Sequence, residues 1–420
     1  MKSRSILVVA AATALILVAS GCSASGGSQE GSVKLEFQTG LSVDSTFMKT
    51  LTSITKKFQT ENPGITIELV PSSTNYESDM KVRLAAGNPP DIWNTHGWSL
   101  LRYSEFLTPL QAEPWAKNFN PALATAMKNK DGEFFAFPVE TDVAGIIYNK
   151  DVLKAAGIDP QKITSWDDFT RAAEAVKSNG VTPITVSGKD NGPAGNLADW
   201  ISPGTYTADQ LAQQKAGTFV SGPYKDMLEV VGSWKADSLF NPDFSSATTD
   251  DMSRALAQGK TAFIFAQNYI VTNALQYNPK AALGYMPIPS LLGGDQYLLG
   301  GELDAYGISN KTKNPKAAKE YIAFLAQPTN GTKLAEASGS IPGLTDAKAD
   351  LGVLQDSYDQ FVAPAKVPLI PYFDRVYLPN GMWNTMVTTT SSVVLGGQSA
   401  VSGAVEQMSK DFSSLYGQGG

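Results

Sequence analysis

The chain has 420 residues, of which 42% are hydrophobic and 17% charged, with a net charge of −7 and a pI of about 5.0. This acidic balance, without a lysine- or arginine-rich block, argues against nucleic acid and anionic lipid as partners. The single cysteine excludes an internal disulfide framework, so the stability has to come from a buried core, for which 44.7 kDa of chain is ample.

The amino terminus has the pattern of a lipoprotein export signal. Two basic residues precede an uncharged run over 6–19, which has the length of a signal-peptide apolar region and is short for a membrane-spanning helix. The run ends in Ala19-Ser20-Gly21-Cys22, which resembles a bacterial lipobox with alanine where leucine is usual. We predict a signal peptide over 1–21, lipidation of Cys22 and a flexible tether over 22–32. The alternative is an ordinary secretory signal with a chance cysteine.

The first hundred residues of the mature chain alternate between strand and helix patterns. The predicted elements are the strands 33–37, 65–70 and 91–93 and the helices 47–60 and 76–86. Asn62-Pro63-Gly64 ends the first helix, and a Gly-Asn-Pro-Pro segment ends the second. The β-α-β-α-β order predicts an α/β fold with a mostly parallel sheet and helices on both faces.

The rest of the chain repeats this alternation and carries a helical carboxyl-terminal segment. Predicted extended segments are 134–148, 181–186, 261–265 and 282–288, and predicted helices are 151–156, 165–177, 251–258, 315–327 and 382–416, the last interrupted by Gly396-Gly397. The mature chain of about 390 residues predicts two lobes. After residue 32 there is no linker long enough to separate independent domains.

Eight short motifs occur in a definite order, and each is weak by itself. They are Asn62-Pro63-Gly64-Ile65; Gly87-Asn88-Pro89-Pro90-Asp91-Ile92; Asp131-Gly132 with Phe137-Pro138 and Ile147-Tyr148-Asn149-Lys150; Ala156-Gly157-Ile158 with Ser165-Trp166-Asp167-Asp168-Phe169; Gly259-Lys260-Thr261-Ala262; Gly300-Gly301 with Ile308-Ser309-Asn310; Asn314-Pro315 with Ala317-Ala318; and Ile341-Pro342. Together they resemble the extracellular solute-binding proteins of the carbohydrate ABC-importer type. The resemblance covers nearly all of the mature chain.

The resemblance implies a two-lobed, maltose-binding-protein-like fold. Each lobe is then a mostly parallel sheet flanked by helices, and the ligand lies in a cleft on which the lobes close by a hinge motion. The implied division is 33–141 plus 303–328 for lobe 1 and 142–302 plus 329–420 for lobe 2. The implied crossovers lie near 140–142, 301–305 and 325–330.

Sugar chemistry sets the side chains that such a cleft requires. A pyranose offers apolar C–H faces to aromatic rings and a rim of hydroxyls to carboxylates and amides, whose paired hydrogen bonds give specificity. By the resemblance, Trp383 and Tyr269 fall where the family has sugar-stacking tryptophans, and Asp142 falls on a hydroxyl-binding carboxylate at the hinge. The alternatives are a core position for the aromatic rings and a hinge salt bridge for the carboxylate.

Further candidates lie beside these positions or in loops with suitable chemistry. Glu140 shares a side of the strand with Asp142 if the strand is regular, and Gly301 before Glu302 leaves room for a ligand near the backbone. The predicted ligand-binding residues are Trp383, Tyr269, Asn268, Asp142, Glu140, Glu302, His96, Trp98, Asn94 and Gly301. Asp199-Trp200 and Tyr372-Asp374-Arg375 have suitable chemistry without a placement, and Trp166 is assigned to the core.

Other functions are weighed against sugar binding. His96 is the only histidine, and neither a nucleophile elbow nor a phosphate-binding glycine loop is present, which argues against most enzymes. A glycoside hydrolase needs only two carboxylates, so chemistry alone leaves that alternative open. A polyamine would suit several cleft carboxylates with aromatic walls, and an anionic solute would require an arginine, for which Arg375 is the candidate.

The sequence therefore predicts a lipid-anchored, extracytoplasmic binding subunit of an ABC importer, with a mono- or oligosaccharide as ligand. The closed protein is expected to dock on the transmembrane permease subunits and to be a monomer. We expect no catalytic residue, metal or cofactor, and membrane contact through the lipid anchor only.

Overall fold

The computed structural model describes residues 32–72, 76–190, 192–363 and 367–416, apart from the side chain of Thr125. The predicted signal peptide and Cys22 lie outside the described residues. The strands are β1 (Val33–Gln38), β2 (Ile65–Val70), β3 (Ile92–Asn94), β4 (Ala136–Pro138), β5 (Glu140–Ala144), β6 (Ile146–Asn149), β7 (Thr182–Ile184), β8 (Thr261–Phe265), β9 (Leu283–Met286), β10 (Leu298–Gly301), β11 (Ala305–Ile308), β12 (Ile341–Pro342) and β13 (Leu369–Ile370).

The helices connect these strands and form the carboxyl-terminal segment. They are α1 (Thr46–Glu61), α2 (Tyr76–Ala85), α3 (Ala124–Met127), α4 (Lys150–Ala155), α5 (Trp166–Ser178), α6 (Pro193–Ile201), α7 (Ala208–Lys215), α8 (Ser221–Ala236), α9 (Thr249–Ala257), α10 (Tyr269–Tyr277), α11 (Pro315–Leu325), α12 (Pro328–Ser338), α13 (Gln355–Phe361), α14 (Phe373–Tyr377), α15 (Met382–Gly396) and α16 (Gln398–Tyr416). Short 3-10 turns lie at His96–Trp98, Ser104–Phe106, Pro114–Asn118, Pro121–Leu123, Pro160–Lys162, Ser202–Gly204 and Gly352–Leu354.

The first lobe is built on a five-stranded sheet in the order β2-β1-β3-β11-β4. β1 runs parallel to β2 and β3, whereas β11 runs antiparallel to β3 and β4. The sequence predicts a mostly parallel sheet, and the observed sheet is mixed because the chain re-enters this lobe in the opposite direction. The apolar face of α1, with Leu51, Ile54 and Phe58, packs into the core of this lobe.

The second lobe has a four-stranded sheet in the order β7-β8-β6-β9, which is also mixed: β7 and β8 are parallel, and β6 is antiparallel to both its neighbours. Aromatic rings dominate its core. The ring centroids of Trp166 and Trp234 lie 5.5 Å apart, and those of Phe169 and Phe263 lie 4.8 Å apart. The prediction that Trp166 is a core residue is confirmed.

Residues 134–148, predicted as one extended segment, form three strands that belong to three different sheets. β5 pairs with β10 and β12, and β13 joins β10, so the sheet β12-β5-β10-β13 lies where the chain passes from one lobe to the other. The break before β6 falls at Gly145. A β-carbon there would lie 2.9 Å from Leu298 Cδ2 and closer still to the Met286 carbonyl oxygen, so the close passage requires glycine.

Each lobe has its own hydrophobic core, and α12 belongs to the core of the first. Leu334 and Ala337 of α12 pack with Phe58 and Tyr321, although the predicted division at residue 328 assigns α12 to the second lobe. The helix α12 contacts α1 and α11 of the first lobe, and it also contacts β5, β12 and α10; the predicted boundary at residue 328 therefore stays a prediction. In the part of the chain that the structure describes, no helix is both long and apolar enough to cross a membrane.

Candidate functional site

A narrow cleft separates the lobes where the loop after β3 faces α14 and the start of α15. The first lobe lines it with Trp98, Leu101 and Arg102, and the second with Asp374, Arg375 and residues 378–383. The cavity between these walls is about 20 Å³, which is room for about one water molecule. The structure therefore shows the lobes nearly closed on each other.

β3 and the turn after it bring three predicted ligand residues together, and of these Trp98 lines the cleft. His96 has a φ of +46°, rare for a residue other than glycine, and Oδ1 of Asn94 accepts its backbone N–H at 2.8 Å. Nε2 of His96 lies 3.4 Å from Oε1 of Glu77. The imidazole meets the rings of Tyr76 and Trp98 edge-on, with centroids 5.2 and 5.8 Å apart. The turn is thus held by both hydrogen bonds and ring contacts.

Arg102 positions Trp98 on this wall. Its guanidinium carbon lies 3.9 Å from the centre of the indole, and its Nη1 lies 2.6 Å from Oε2 of Glu77. One face of the indole is therefore covered by a cation that is itself anchored. The sequence alone gave no indication of this role for Arg102.

Trp383, in the first turn of α15, stands on the second-lobe wall. The edge of its indole rests on α6, because a β-carbon built on Gly195 would lie 3.2 Å from Cη2 and 3.3 Å from Cζ2 of Trp383. The ring is half-buried, packs at the margin of the second-lobe core and lines the same space as Trp98. The two tryptophans thus line the cleft from opposite lobes.

Tyr269 and Asn268 lie at the start of α10, next to the sheet between the lobes. Nδ2 of Asn268 donates to the carbonyl oxygens of Val143 and Gly339 at 3.1 and 3.2 Å, so this amide anchors the helix. Burial and the negative charges of the nearby aspartates, among them Asp142, raise the pKa of Tyr269 to about 12. The phenol therefore remains a hydrogen-bond donor beside the carboxylates.

The predicted hinge carboxylates are all completely buried. Oε1 of Glu140 accepts the backbone N–H of Asp304 at 2.6 Å, while Asp142 accepts from the hydroxyl of Tyr372 and, at 3.2 Å, from that of Ser340. Both carboxylates are therefore held by hydrogen bonds, whereas the alternative that the sequence offered was a salt bridge at the hinge.

Glu302 and Glu140 carry carboxylate oxygens without a partner. Neither carboxylate oxygen of Glu302 has a hydrogen-bond partner among the described residues, and the same holds for Oε2 of Glu140. A buried oxygen without a hydrogen bond is costly. These three oxygens therefore lack the partners that buried carboxylates normally have.

Arg375 of α14 is the cation at the centre of the cleft, and it is buried. Its guanidinium carbon lies 4.1 Å from the centre of the Tyr372 ring, and its Nη1 donates to the backbone carbonyl of Glu302. Its Nε lies 3.9 Å from Oδ1 of Asp374. The space that Gly301 leaves free is taken by Arg375 and Tyr372, because a β-carbon there would lie 3.3 Å from each of them.

Burial is the largest influence on six carboxyl groups around this arginine, and it raises the pKa of each. For Glu302 the pKa rises to about 7, with Arg375 opposing the rise. A carboxyl that keeps its proton donates one hydrogen bond and accepts another, which matches a sugar hydroxyl that does both. The six are Glu140, Asp142, Asp199, Glu302, Asp304 and Asp374.

Of the ten predicted residues, Trp98 and Trp383 line the cleft, from opposite lobes. Asn94 and His96 lie in β3 and in the turn that leads to Trp98, and the remaining six lie at or beside the sheet between the lobes. Sequence reasoning missed Arg102 and Asp304, and it gave Tyr372, Asp374 and Arg375 no placement. No local signal could place Arg375, since its partners come from distant parts of the chain. Across the described ranges, no three acidic, histidine or cysteine side chains are grouped to hold a metal ion.

Comparison with known proteins decides the family. Residues 53–359 match the sequence profile of a family described as bacterial extracellular solute-binding protein. The chain belongs to this family. It is 31% identical over 383 residues to the melibiose/raffinose/stachyose-binding protein MelE of Bacillus subtilis, with 89% of the chain and 88% of that protein covered. The sequence-based resemblance is confirmed, and this is a family of binding proteins rather than enzymes.

Solved structures agree with this solute-binding protein in fold. A sugar transporter of Bacillus licheniformis in complex with stachyose has a TM-score of 0.82 at 31% identity, over 91% of the chain and all of that protein. A putative binding protein of Bacillus subtilis in an open conformation has a TM-score of 0.79 at 28% identity, over 93% and 99%. The predicted two-lobed α/β fold is confirmed.

Proposed function

We propose that the chain captures a neutral oligosaccharide of the melibiose, raffinose and stachyose class and delivers it to an ABC importer. The observation that carries this proposal is the 31% identity with a relative whose name gives these three sugars. A structure of similar identity contains stachyose. This chemical class is narrower than the mono- or oligosaccharide that the sequence predicts.

The geometry of the cleft supports a sugar ligand. Trp98 and Trp383 line the cleft from the two lobes, so that each can cover an apolar face of a sugar unit. Glu302 and Glu140 carry unpaired buried oxygens in and beside the sheet between the lobes, and Asp374 and Arg375 line the cleft. A hydroxyl that pairs with these groups removes the cost of burying them alone, and a solute without the hydroxyl does not.

Capture then works by closure of the lobes. The bound sugar stabilises the closed state because both walls contact it only when they approach each other. The closed protein docks, as a monomer, on the transmembrane permease subunits. The lipid on Cys22, followed by a Ser/Gly-rich tether, holds the protein at the outer face of the membrane, which is the sole membrane contact in this proposal.

A cationic solute such as a polyamine is the second candidate. The observation that favours it is the excess of buried acid groups, since six buried carboxyl groups accompany one buried arginine in this part of the protein. An ammonium ligand would offset the cost of ionising them. The identity with MelE favours the neutral sugar over this alternative.

A thermal-shift screen of residues 23–420 separates the two. A ligand that binds only the folded state raises the melting temperature in proportion to the logarithm of its concentration over Kd. We expect a shift with raffinose or stachyose and none with spermidine. A shift with spermidine alone would reject the sugar and retain the fold.

The lipid anchor is tested separately in cells. We expect the wild-type chain to incorporate a labelled fatty acid and to remain with the membrane fraction. The Cys22→Ser chain should lose the label and appear in the medium. Equal distribution of both chains would reject lipidation and favour an ordinary secretory signal.

A further inference from the structure

Gly97 and Arg375 meet across the cleft more closely than any side chain at position 97 would allow. Gly97 lies in the turn after β3 on the first lobe, and Arg375 lies in α14 on the second. A β-carbon built on Gly97 would lie 2.6 Å from Cζ of Arg375 and closer still to its Cδ and Nε. The guanidinium of one lobe therefore packs directly on the backbone of the other.

The backbone of the turn does not itself require glycine at this position. Gly97 has φ −75° and ψ 20°, a conformation open to any L-residue. The residue with an unusual backbone is its neighbour His96, at φ +46°. Position 97 therefore needs glycine because Arg375 of the opposite lobe fills the space of a side chain. This need applies only in the closed arrangement, in which Arg375 reaches Gly97.

Arg375 cannot move aside without loss. It stacks on Tyr372, donates to the carbonyl of Glu302 and lies buried near Asp374. Tyr372 is in turn bonded to Asp142 of β5. The arginine is thus held from the second lobe and the sheet between the lobes, and a retreat would break these contacts and leave a buried cation unpaired.

We infer that Arg375 is a positioning residue that sets how far the lobes close, with Gly97 as the docking point it needs on the first lobe. This inference rests on the proposed capture by lobe closure and adds the contact that defines the closed state. A second charged residue of the first lobe, Arg102, lines the same space as Asp374 and Arg375. The first lobe meets the guanidinium with backbone at Gly97, so a single methyl group is enough to obstruct closure.

The test uses the rate at which the two lobes can be cross-linked. Leu101→Cys and Asn380→Cys place thiols on exposed positions that line the cleft from opposite lobes, and Cys22→Ser removes the only native cysteine. A short bismaleimide then joins the lobes when they close, without any ligand. Adding Gly97→Ala should slow this reaction by about tenfold, as expected of overpacking a filled site.

Two controls make the steric cause specific. Gly64→Ala, on the same lobe and with open space around its β-carbon position, should leave the rate unchanged. In the Arg375→Ala background, Gly97→Ala should no longer slow the reaction, because the obstructing side chain is gone. Melting temperatures of all variants exclude misfolding as the cause of a slow reaction.

Stachyose affinity is the second readout, and it separates this inference from the proposed function. We expect Gly97→Ala to weaken stachyose binding by about the factor by which it slows cross-linking, since a less populated closed state lowers affinity in proportion. If the wild-type chain does not bind stachyose, the proposed ligand fails, and the cross-linking rates still decide this inference. An unchanged rate in Gly97→Ala, an equal slowing in the Arg375→Ala background, or no cross-link in any background would each overturn it.

Discussion

The burial of Glu302 gives the sharpest prediction for stability. Both of its carboxylate oxygens are buried without a partner in the described structure, and burial raises its pKa from 4.5 to about 7. The difference between these pKa values corresponds to about 3 kcal/mol of folding free energy. Glu302→Gln keeps the shape of the side chain and removes its charge. The variant should therefore be more stable than the wild type at any pH at which the wild-type carboxyl ionises on unfolding.

The sign depends on pH in a defined way. Below pH 4.5 the carboxyl is protonated in the folded and unfolded states, so the two chains should have nearly equal free energies of unfolding. Between pH 4.5 and 7 the unfolded chain releases the proton first, and the wild type loses stability relative to Glu302→Gln. Above pH 7 the advantage of the variant should reach its full value of about 3 kcal/mol.

Urea denaturation of the ligand-free chains at pH 4.5, 6 and 8 measures this difference. Glu105→Gln, a substitution at an exposed glutamate of the first lobe, serves as the control and should leave the stability nearly unchanged at each pH. A constant difference between wild type and Glu302→Gln across the three pH values would refute the reasoning, because it would show that Glu302 is hydrated in the folded protein.

Three further predictions concern the cleft, the core and a helix end. Trp383→Ala should weaken stachyose binding by about tenfold, equivalent to about 1.4 kcal/mol, with little change in melting temperature. Calorimetric titration measures the affinity. An unchanged Kd would show that Trp383 is not part of the binding site. Trp234→Ala should lower the free energy of unfolding by about 3–5 kcal/mol because its buried ring contacts Trp166 and Phe169; a loss below 1 kcal/mol in urea denaturation would contradict the packing. Ser165→Ala removes the capping box of α5 and should cost about 1 kcal/mol, whereas Ser165→Asp should retain most of the stability in the same assay.

Local signals in the chain located eight of the sixteen α-helices among the described residues. The predicted helices 47–60, 76–86 and 315–327 match α1, α2 and α11 with ends within two residues. α15 and α16 separate at Gly397, whose φ of +64° suits glycine. Helix signals act over at most four residues, so they can be recognised without the fold. The helices α3, α6, α7, α8, α10, α12, α13 and α14 were missed, although α7 begins with a capping box.

The ordered motifs also determined the family and the two-lobed α/β architecture, and the resemblance supplied two of the residues that line the cleft, Trp98 and Trp383. Residue order carries this information because each motif marks an element end at a definite place along the chain. The sequence likewise named the carboxylates at residues 140, 142 and 302 as ligand candidates, and the structure buries them at or beside the sheet between the lobes.

Only the tertiary structure decided which side chains meet at the cleft and which of their buried polar atoms have no hydrogen-bond partner. Glu140 finds its partner 164 residues away, and Tyr372 reaches Asp142 across 230 residues. Residues 134–148 are divided among three sheets because their partner strands, β8 to β12, come much later in the chain. The contact of Arg375 with Gly97 likewise joins segments that are far apart in sequence. Such contacts arise from packing between distant segments, and the spacing of residues along one segment carries no record of them.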